Sequence, residues 1–564
     1  MQRQILFRRL VLSVLKSKNP TPPRLLISHA QLASHARPQL PFLSTPLARN
    51  HQFRYLTTER KRWLVYEVYL GLKYTAYLWA IIGCSVIAYW SVQQEWLERK
   101  YPTPHEWRFM TRLRFRIAKW GPDRTDWPET DWVVIGNFVK NVIERLEDRD
   151  IEGAGLQDLT EGGIWIDGIG KSGYDVTAKS EPWRRGYFEA LMLAAKTAEQ
   201  LDDHVADTTR HLVFPASMVI GPSNPSPKPI PFGAEKAPLE ENCERAYDEP
   251  ETYYMRILTT RGFSSRQKMG AALAYASWLD FKGIPGAATR MYEWALSLAS
   301  ENVLPTELPY DPQSYVLRDD AGAPSTNILT ALSALAVHKA RNEDIPTALP
   351  ILLSVLRARR SLSEPQAKAP TSPPHQSPVP SYTPWTLDNV IGTIKRLAAP
   401  PAYPPPPDDG ESPPERDARE RCEEAALNLY IGEIIFASKG REDGLAWTRE
   451  AVDLAEEQLH HPGLSDTEAK KTCKECLSSG LENWGKMVAR LAREEREREA
   501  QGTASAGAGS STWFGLWGEG KQEEVVPGRW AAEENVVKER TRRAQEVLDE
   551  LEAPNTPLSS IFSA

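Results

Sequence analysis

Residues 272–296 read ALAYASWLDFKGIPGAATRMYEWAL. Apolar residues recur there with the 3.6-residue period of a helix on both sides of Gly283. Glycine is the residue that most often ends one helix and turns the chain toward the next. We therefore expect a helical hairpin in this part of the chain, with one helix over 265–283 and a second over 286–300.

The small residues of this hairpin follow the tetratricopeptide pattern, in which a unit of about 34 residues has small side chains where its two helices approach closely. Weaker matches start at Leu329 and Ala425, with insertions at 303–324 and 362–415 between the units. The residues predicted to pack within the repeats are Ala276, Ala288, Tyr292, Ala295, Ala336, Ala348, Gly432, Gly444 and Ala451. The predicted fold class is all-α, a tetratricopeptide-like helical repeat or α-solenoid, with a generic helical solenoid or bundle as the alternative.

Helical periodicity also dominates the rest of the chain after residue 131, and strand patterns are few apart from a possible short hairpin within 163–176. Further helices are expected at 131–147, 183–203, 325–341, 345–361, 385–398, 416–438, 442–459, 465–499 and 530–552. The predicted domains are a helical domain at 105–361, a Pro-rich linker with a short helix at 362–415, a C-terminal repeat with a long helix at 416–500, and a low-complexity tail with a terminal helix at 501–564. The composition of the linker predicts an extended or disordered segment.

The first helices of such repeats line a concave face, and their exposed positions define a candidate peptide groove. The residues predicted to line it are Leu273, Ser277, Asp280, Phe281, Ser333, Val337 and Arg341. Only Arg341 has the chemistry to clamp a carboxylate. The predicted groove is therefore mixed and fairly apolar, which favours an extended apolar peptide or a partner helix as its ligand.

The N-terminal region has the composition of an organellar address. Residues 1–58 contain nine basic residues and no acidic one, as in mitochondrial transit peptides. We expect a presequence over 1–56, because Arg54-Tyr55-Leu56 resembles a processing site. The alternative is a disordered basic tail.

A membrane anchor is predicted at Tyr74–Val92, nineteen residues without a charge and with aromatic residues at both ends. As a helix this segment is about 28 Å long, close to the thickness of a bilayer's hydrocarbon core. The alternative is a buried core helix. Flanking charges do not orient the segment, so the order of import gives the prediction of a single pass, with most of the chain in the intermembrane space. The basic amphipathic stretch 108–120 either lies on lipid headgroups or is the first helix of the folded domain, and we favour the second.

The sequence offers little evidence for other chemistry. The net charge of −7 gives no indication of a nucleic-acid partner. No catalytic, cofactor-binding or metal-binding grouping stands out, so the protein is expected not to be an enzyme. Five cysteines do not form a disulfide framework. We favour helix packing for Cys473 and Cys476, with oxidation of the pair as the alternative.

The whole layout resembles the fungal tetratricopeptide-repeat adaptor subunits of the mitochondrial inner-membrane i-AAA protease supercomplex. The resemblance is carried by ERKYPTPHEWRFMTRLRFRIA at 98–118, RRGYFEALMLAAKTAEQLD at 184–202, the hairpin at 272–296 and CKECLSSGLENWGKM at 473–487. It implies an inner-membrane adaptor that binds unfolded or misfolded proteins and presents them for degradation. The implied partners are the i-AAA protease, its adaptor subunits and unfolded polypeptides. The alternative function is a membrane-anchored scaffold or assembly factor for a respiratory or import complex.

Overall fold

The computed structural model describes residues 58–124, 130–158, 165–166, 170–171, 173–230, 235–320, 322–364, 403–438, 440–461, 464, 467–507 and 528–552. These residues form thirteen α-helices and a few short strands, so the prediction of a mainly helical chain is confirmed. The chain divides into two compact units, Met1–Ala88 and Tyr89–Ala564. The predicted presequence and the short helix predicted at 385–398 lie outside the described residues.

Helix α1, Thr58–Lys100, contains the whole of the predicted membrane segment. It is the one helix among the described residues that is long and apolar enough to cross a membrane, and none of its apolar window is buried. Large apolar side chains such as Trp79 and Ile81 are exposed along it. An exposed apolar surface of this length is expected of a membrane span and not of a soluble core helix.

Helix α2, Phe109–Trp120, is the basic amphipathic stretch, and its cations have partners inside the folded unit. The buried Glu98 carboxylate accepts hydrogen bonds from Arg112 at 2.9 Å and from Arg116. Lys119 Nζ lies 2.5 Å from Glu189 Oε2. Because these cations pair with carboxylates of the folded unit, they support the interpretation of α2 as the first helix of the folded domain.

The next elements of the folded unit are α3, Trp132–Glu147, α4, Glu181–Leu201, and α5, Pro250–Thr259, each packed against its neighbour in this order. Helix α5 was not expected, since it is short and rich in aromatic residues, which also suit strands.

The strands form three small antiparallel sheets: β1, Gln157–Asp158, with β4, Tyr174–Asp175; β2, Trp165–Ile166, with β3, Gly170–Lys171; and β5, His204–Asp207, between β6, Leu212–Pro215, and β7, Cys243–Arg245. The β2–β3 pair is the hairpin predicted within 163–176.

Four pairs of helices follow: α6, Ser265–Phe281, with α7, Pro285–Ala299; α8, Thr326–Arg341, with α9, Ile345–Arg360; α10, Ala418–Ser438, with α11, Arg441–Leu459; and α12, Thr467–Gly507, with α13, Arg529–Glu552. Short turns join the first three pairs. Gly283 has the positive φ of +74° that ends α6, and Ser264 begins α6 with a capping box to Gln267. In these eight helices every end lies within two residues of its predicted position except the C-terminal end of α12, which lies at Gly507 instead of 499.

Each pair packs on the next, because α7 contacts α8, α9 contacts α10, and α11 contacts α12. The first helices also contact one another in the order α4, α6, α8, α10 and α12. All nine residues predicted to pack within repeats are buried. At Gly432 and Gly444 the approach is so close that a Cβ on Gly444 would lie 2.6 Å from the Gly432 carbonyl oxygen.

The last part of the predicted Pro-rich linker is docked on the domain. Residues 403–415 form no helix or strand, and their backbone carbonyls accept hydrogen bonds from α4, α6 and α8. The prediction of an extended or disordered linker did not include these contacts with the folded unit. Proline prevents helix and sheet formation, but it leaves carbonyl oxygens available to donors on other elements.

Cys422 on α10 and Cys473 on α12 form a disulfide, with their Cα atoms 5.1 Å apart. The preferred interpretation, helix packing for both Cys473 and Cys476, is therefore wrong for Cys473. Its partner lies 51 residues away in sequence, so local spacing gave no sign of the bond. Cys476 does pack in the core, and burial, with Glu423 and Glu475 nearby, raises the pKa of its thiol to about 12.

Candidate peptide-binding cleft

An open cleft of about 1030 Å³ lies between α4 and α6. Its apolar lining comes mainly from Phe188, Met192, Leu193, Tyr254, Trp278 and Phe281. Its charged lining comes from Lys119, Glu189, Lys196 and Glu199. The cleft thus has an apolar surface with charges of both signs around it.

Helical spacing explains how the sequence builds both walls. On α6, Ala274, Ser277, Trp278 and Phe281 follow the i, i+3, i+4, i+7 pattern and share one face. Phe281 is 84% exposed, the largest value among the large apolar residues that the structure describes. An exposed ring at the edge of the cleft extends the apolar surface that the cleft offers to a ligand.

On α4, Phe188 and Met192 lie one turn apart and face the same cleft, with Lys196 one turn further along. The other side of α4 is buried: Tyr187, Leu191, Ala194 and Ala198 are fully inside the core. The small residues Ala194 and Ala198 let α4 pack closely on that side, while Phe188 and Met192 face the cleft.

The charges of the cleft are largely compensated. Lys119 pairs with Glu189, and the Tyr254 hydroxyl donates to Glu199 Oε1 at 2.7 Å. Burial raises the pKa of the Glu199 carboxyl, although the hydrogen bond from Tyr254 and the charge of Lys196 oppose the rise. A cleft lined by two cations and two carboxylates has little net field to select a strongly charged ligand.

The structure brings only part of the predicted groove to this cleft. Ser277 and Phe281 line it, whereas Leu273 is half-buried against the core. In the second pair, Ser333 and Val337 are half-buried and Arg341 is exposed at the end of α8, and none of the three lines the cleft. Sequence reasoning missed the α4 wall because α4 lies outside the three repeat matches, although its apolar periodicity at Phe188 was visible.

Asp280 has an internal role that its predicted groove position did not suggest. Its Oδ2 lies 2.8 Å from His338 Nδ1 and accepts a hydrogen bond from the Tyr292 hydroxyl at 3.2 Å. His338 Nε2 lies 2.8 Å from Thr289 Oγ1. These contacts join α6, α7 and α8 through buried polar groups, so Asp280 fixes helix packing next to the cleft instead of lining it.

Among the described residues, no group of three or more His, Cys, Asp or Glu side chains is placed to hold a metal ion. The lining of the cleft offers contact surface and hydrogen-bonding groups, which suits binding of a polypeptide segment.

Comparison with known proteins does not identify a family for this chain. No family model matches the chain, and no curated protein matches it. Among solved structures, the crystal structure of BtubC (BKLC) from P. vanneervenii is similar at 12% sequence identity and a TM-score of 0.27, over 61% of this chain and 90% of that one. A likeness at that TM-score carries no argument about fold or function.

Proposed function

We propose that this protein is a non-enzymatic adaptor of the mitochondrial inner membrane that binds unfolded or misfolded proteins and presents them to the i-AAA protease. The observation that carries the proposal is the open apolar cleft between α4 and α6, with Phe281 exposed at its edge. An unfolded chain exposes apolar side chains and unpaired backbone groups, and this cleft offers partners for both.

The proposed architecture is a tetratricopeptide-like helical repeat. Three observations support it: helices joined in pairs by short turns, first helices that contact one another in order, and small residues buried where the pattern requires them. Such an arrangement presents a long surface to a partner, which suits an adaptor.

The proposed location is the inner membrane, with most of the chain in the intermembrane space. Helix α1 supports a single-pass anchor by its length and exposed apolar surface. The Cys422–Cys473 disulfide supports an oxidising surrounding, since disulfides are rare in reducing compartments. Anchoring would also raise the local concentration of the adaptor near a membrane protease.

Substitution of Phe281 by aspartate tests the proposed function. The affinity of the detergent-solubilised full-length chain for an unfolded apolar polypeptide is measured for wild type and for Phe281→Asp. Loss of a buried aromatic contact of about 1.5–3 kcal/mol predicts affinity weaker by about tenfold or more. Val536, which is 57% exposed on α13, provides the matched control Val536→Asp, for which no loss is expected. Equal affinities for all three chains would contradict the proposal. If substrates of the i-AAA protease were degraded normally in cells that lack the protein, the alternative function as a scaffold would be favoured.

A further inference from the structure

Residues 403–412, YPPPPDDGES, lie across the N-terminal parts of three helices, and we call this segment the strap. Its first contact is with α4. Arg185 donates hydrogen bonds to the Pro404 oxygen at 2.6 Å and to the Pro405 oxygen at 2.8 Å. The same guanidinium group lies 4.3 Å from the centre of the Tyr403 ring. Arg185 is only 7% exposed and also pairs with Glu181 one turn earlier, so a buried cation that its own helix holds in place binds this segment.

The strap then contacts α6 and α8. Arg266 on α6 donates to the Asp408 backbone oxygen at 2.8 Å. Asn327 on α8 donates from its side chain to the Asp409 oxygen at 2.9 Å and from its backbone to the Gly410 oxygen at 3.1 Å. Asn327 is 1% exposed, so a second buried polar side chain serves the strap.

The chemistry of the strap matches the groups that hold it. Proline has no N–H, so Pro404–Pro407 offer backbone acceptors only, and Arg185 donates to two of them. An arginine stacked on a tyrosine is a favourable cation–π pair that also fixes the guanidinium plane. Asp408 and Asp409 line one cavity together with Arg184, Arg185 and Arg266, whose positive charges suit an acidic segment. The Glu411 carboxylate accepts a hydrogen bond from Asn302.

One residue of the strap is required by geometry. Gly410 has a φ of +67°, and a Cβ there would collide with the side-chain amide of Asn327. Any other residue would be strained and would push the strap away from α8.

We propose that the edge formed by Arg185, Arg266 and Asn327 is a binding site for an extended, proline-rich acidic peptide, and that the strap is its ligand within the same chain. In this position the strap connects α4 with α6, the helices that form the two walls of the cleft. It also connects both helices with α8. The site is separate from the cleft, so this proposal stands whether or not the cleft binds unfolded proteins.

Binding in trans tests the site directly. The strap is replaced by ten Gly and Ser residues in the full-length chain, and a fluorescein-labelled peptide YPPPPDDGES is added while fluorescence anisotropy is recorded. We expect saturable binding to this variant and little binding to wild type, whose site is filled. Adding Arg185→Ala is expected to weaken binding at least tenfold, as is a Gly-to-Ala change in the peptide at the position of Gly410. The control Arg357→Ala, at an arginine on α9 outside this edge, is expected to leave binding unchanged.

No binding to a strap-replaced chain that keeps the wild-type circular dichroism spectrum would overturn the proposal. A second measurement covers the case in which that chain does not fold. The photoreactive residue p-benzoylphenylalanine replaces Tyr403 in the otherwise unaltered chain, and cross-linked peptides are identified by mass spectrometry. The proposal predicts cross-links to residues 181–189 of α4. Absence of those cross-links would overturn it.

Discussion

Two glycines let α10 and α11 approach backbone to backbone. Gly432 and Gly444 face each other across this pair, and a Cβ on Gly444 would lie 2.5 Å from the Phe436 nitrogen. Contacts this short involve backbone atoms, which cannot turn aside as a flexible side chain can. Side-chain size at two positions therefore sets how closely the third pair of helices packs.

The first prediction is that Gly444→Ala destabilises the folded domain by about 1–3 kcal/mol, the usual range for overpacking of a core. The matched control is Gly270→Ala on α6, where an added Cβ meets nothing within 4 Å. There the better helix propensity of alanine predicts a small gain in stability of about 0.5–1 kcal/mol. Thermal melting of the full-length chains, followed by circular dichroism, checks both changes. A Gly444→Ala chain that melts at or above the wild-type temperature would refute this account of the α10–α11 contact.

Between helices α10 and α12, the disulfide and the buried free thiol near it have different roles. The Cys422–Cys473 bond connects α10 to α12 around the intervening α11. Cys476 Sγ lies 4.0 Å from the Cys422 carbonyl oxygen but stays a free thiol. With its pKa raised to about 12, Cys476 holds its proton at neutral pH, so the thiolate that could attack the disulfide is scarce until the pH approaches that value.

The second prediction follows from this arrangement. Cys422→Ser is expected to lower stability by about 2–4 kcal/mol, because the cross-link over a long loop is lost. Cys476→Ala is expected to leave the cross-link intact and to cost less, as the loss of one small buried side chain. Denaturant unfolding of the non-reduced chains, with thiol counting by mass spectrometry, provides the comparison. If Cys476 were alkylated in the native chain at pH 8 as readily as in the denatured chain, the assignment of a buried, protonated thiol would be wrong.

The long periodic helices could be predicted from sequence because burial of one face is encoded locally, in every turn. This holds for α6 to α11. Capping residues and turn glycines also indicate where these helices end. Helix α5 and the β5–β7 sheet could not be predicted, since their short segments gain their stability from contacts with distant residues. The strap and the disulfide were missed for the same reason: Arg185 and Pro405 are 220 residues apart. Of the cleft, Ser277 and Phe281 were predicted, but the α4 wall required the three-dimensional arrangement.

For the molecule as a whole, the candidate membrane span in α1 and the proposed presequence predict a defined topology. A presequence and one span would leave the C-terminal part in the intermembrane space, where the disulfide is stable.

The third prediction is that a C-terminal tag resists added protease in intact mitochondria and is degraded once the outer membrane is ruptured. A matrix-located marker protein serves as the control for inner-membrane integrity. A tag that stays protected together with the matrix marker would refute the proposed orientation.

We propose that the cleft between α4 and α6 holds unfolded protein for the i-AAA protease, and cross-linking in mitochondria tests this. The most direct measurement replaces Ser277 by p-benzoylphenylalanine in the full-length chain, and in a parallel chain replaces the exposed Val536. Isolated mitochondria that are importing an unfolded inner-membrane reporter are then irradiated, and the cross-linked products are identified. We expect the reporter to cross-link from position 277 and not from position 536, and the i-AAA protease to co-purify with the product. Cross-linking that is absent from position 277, or equal from both positions, would contradict it.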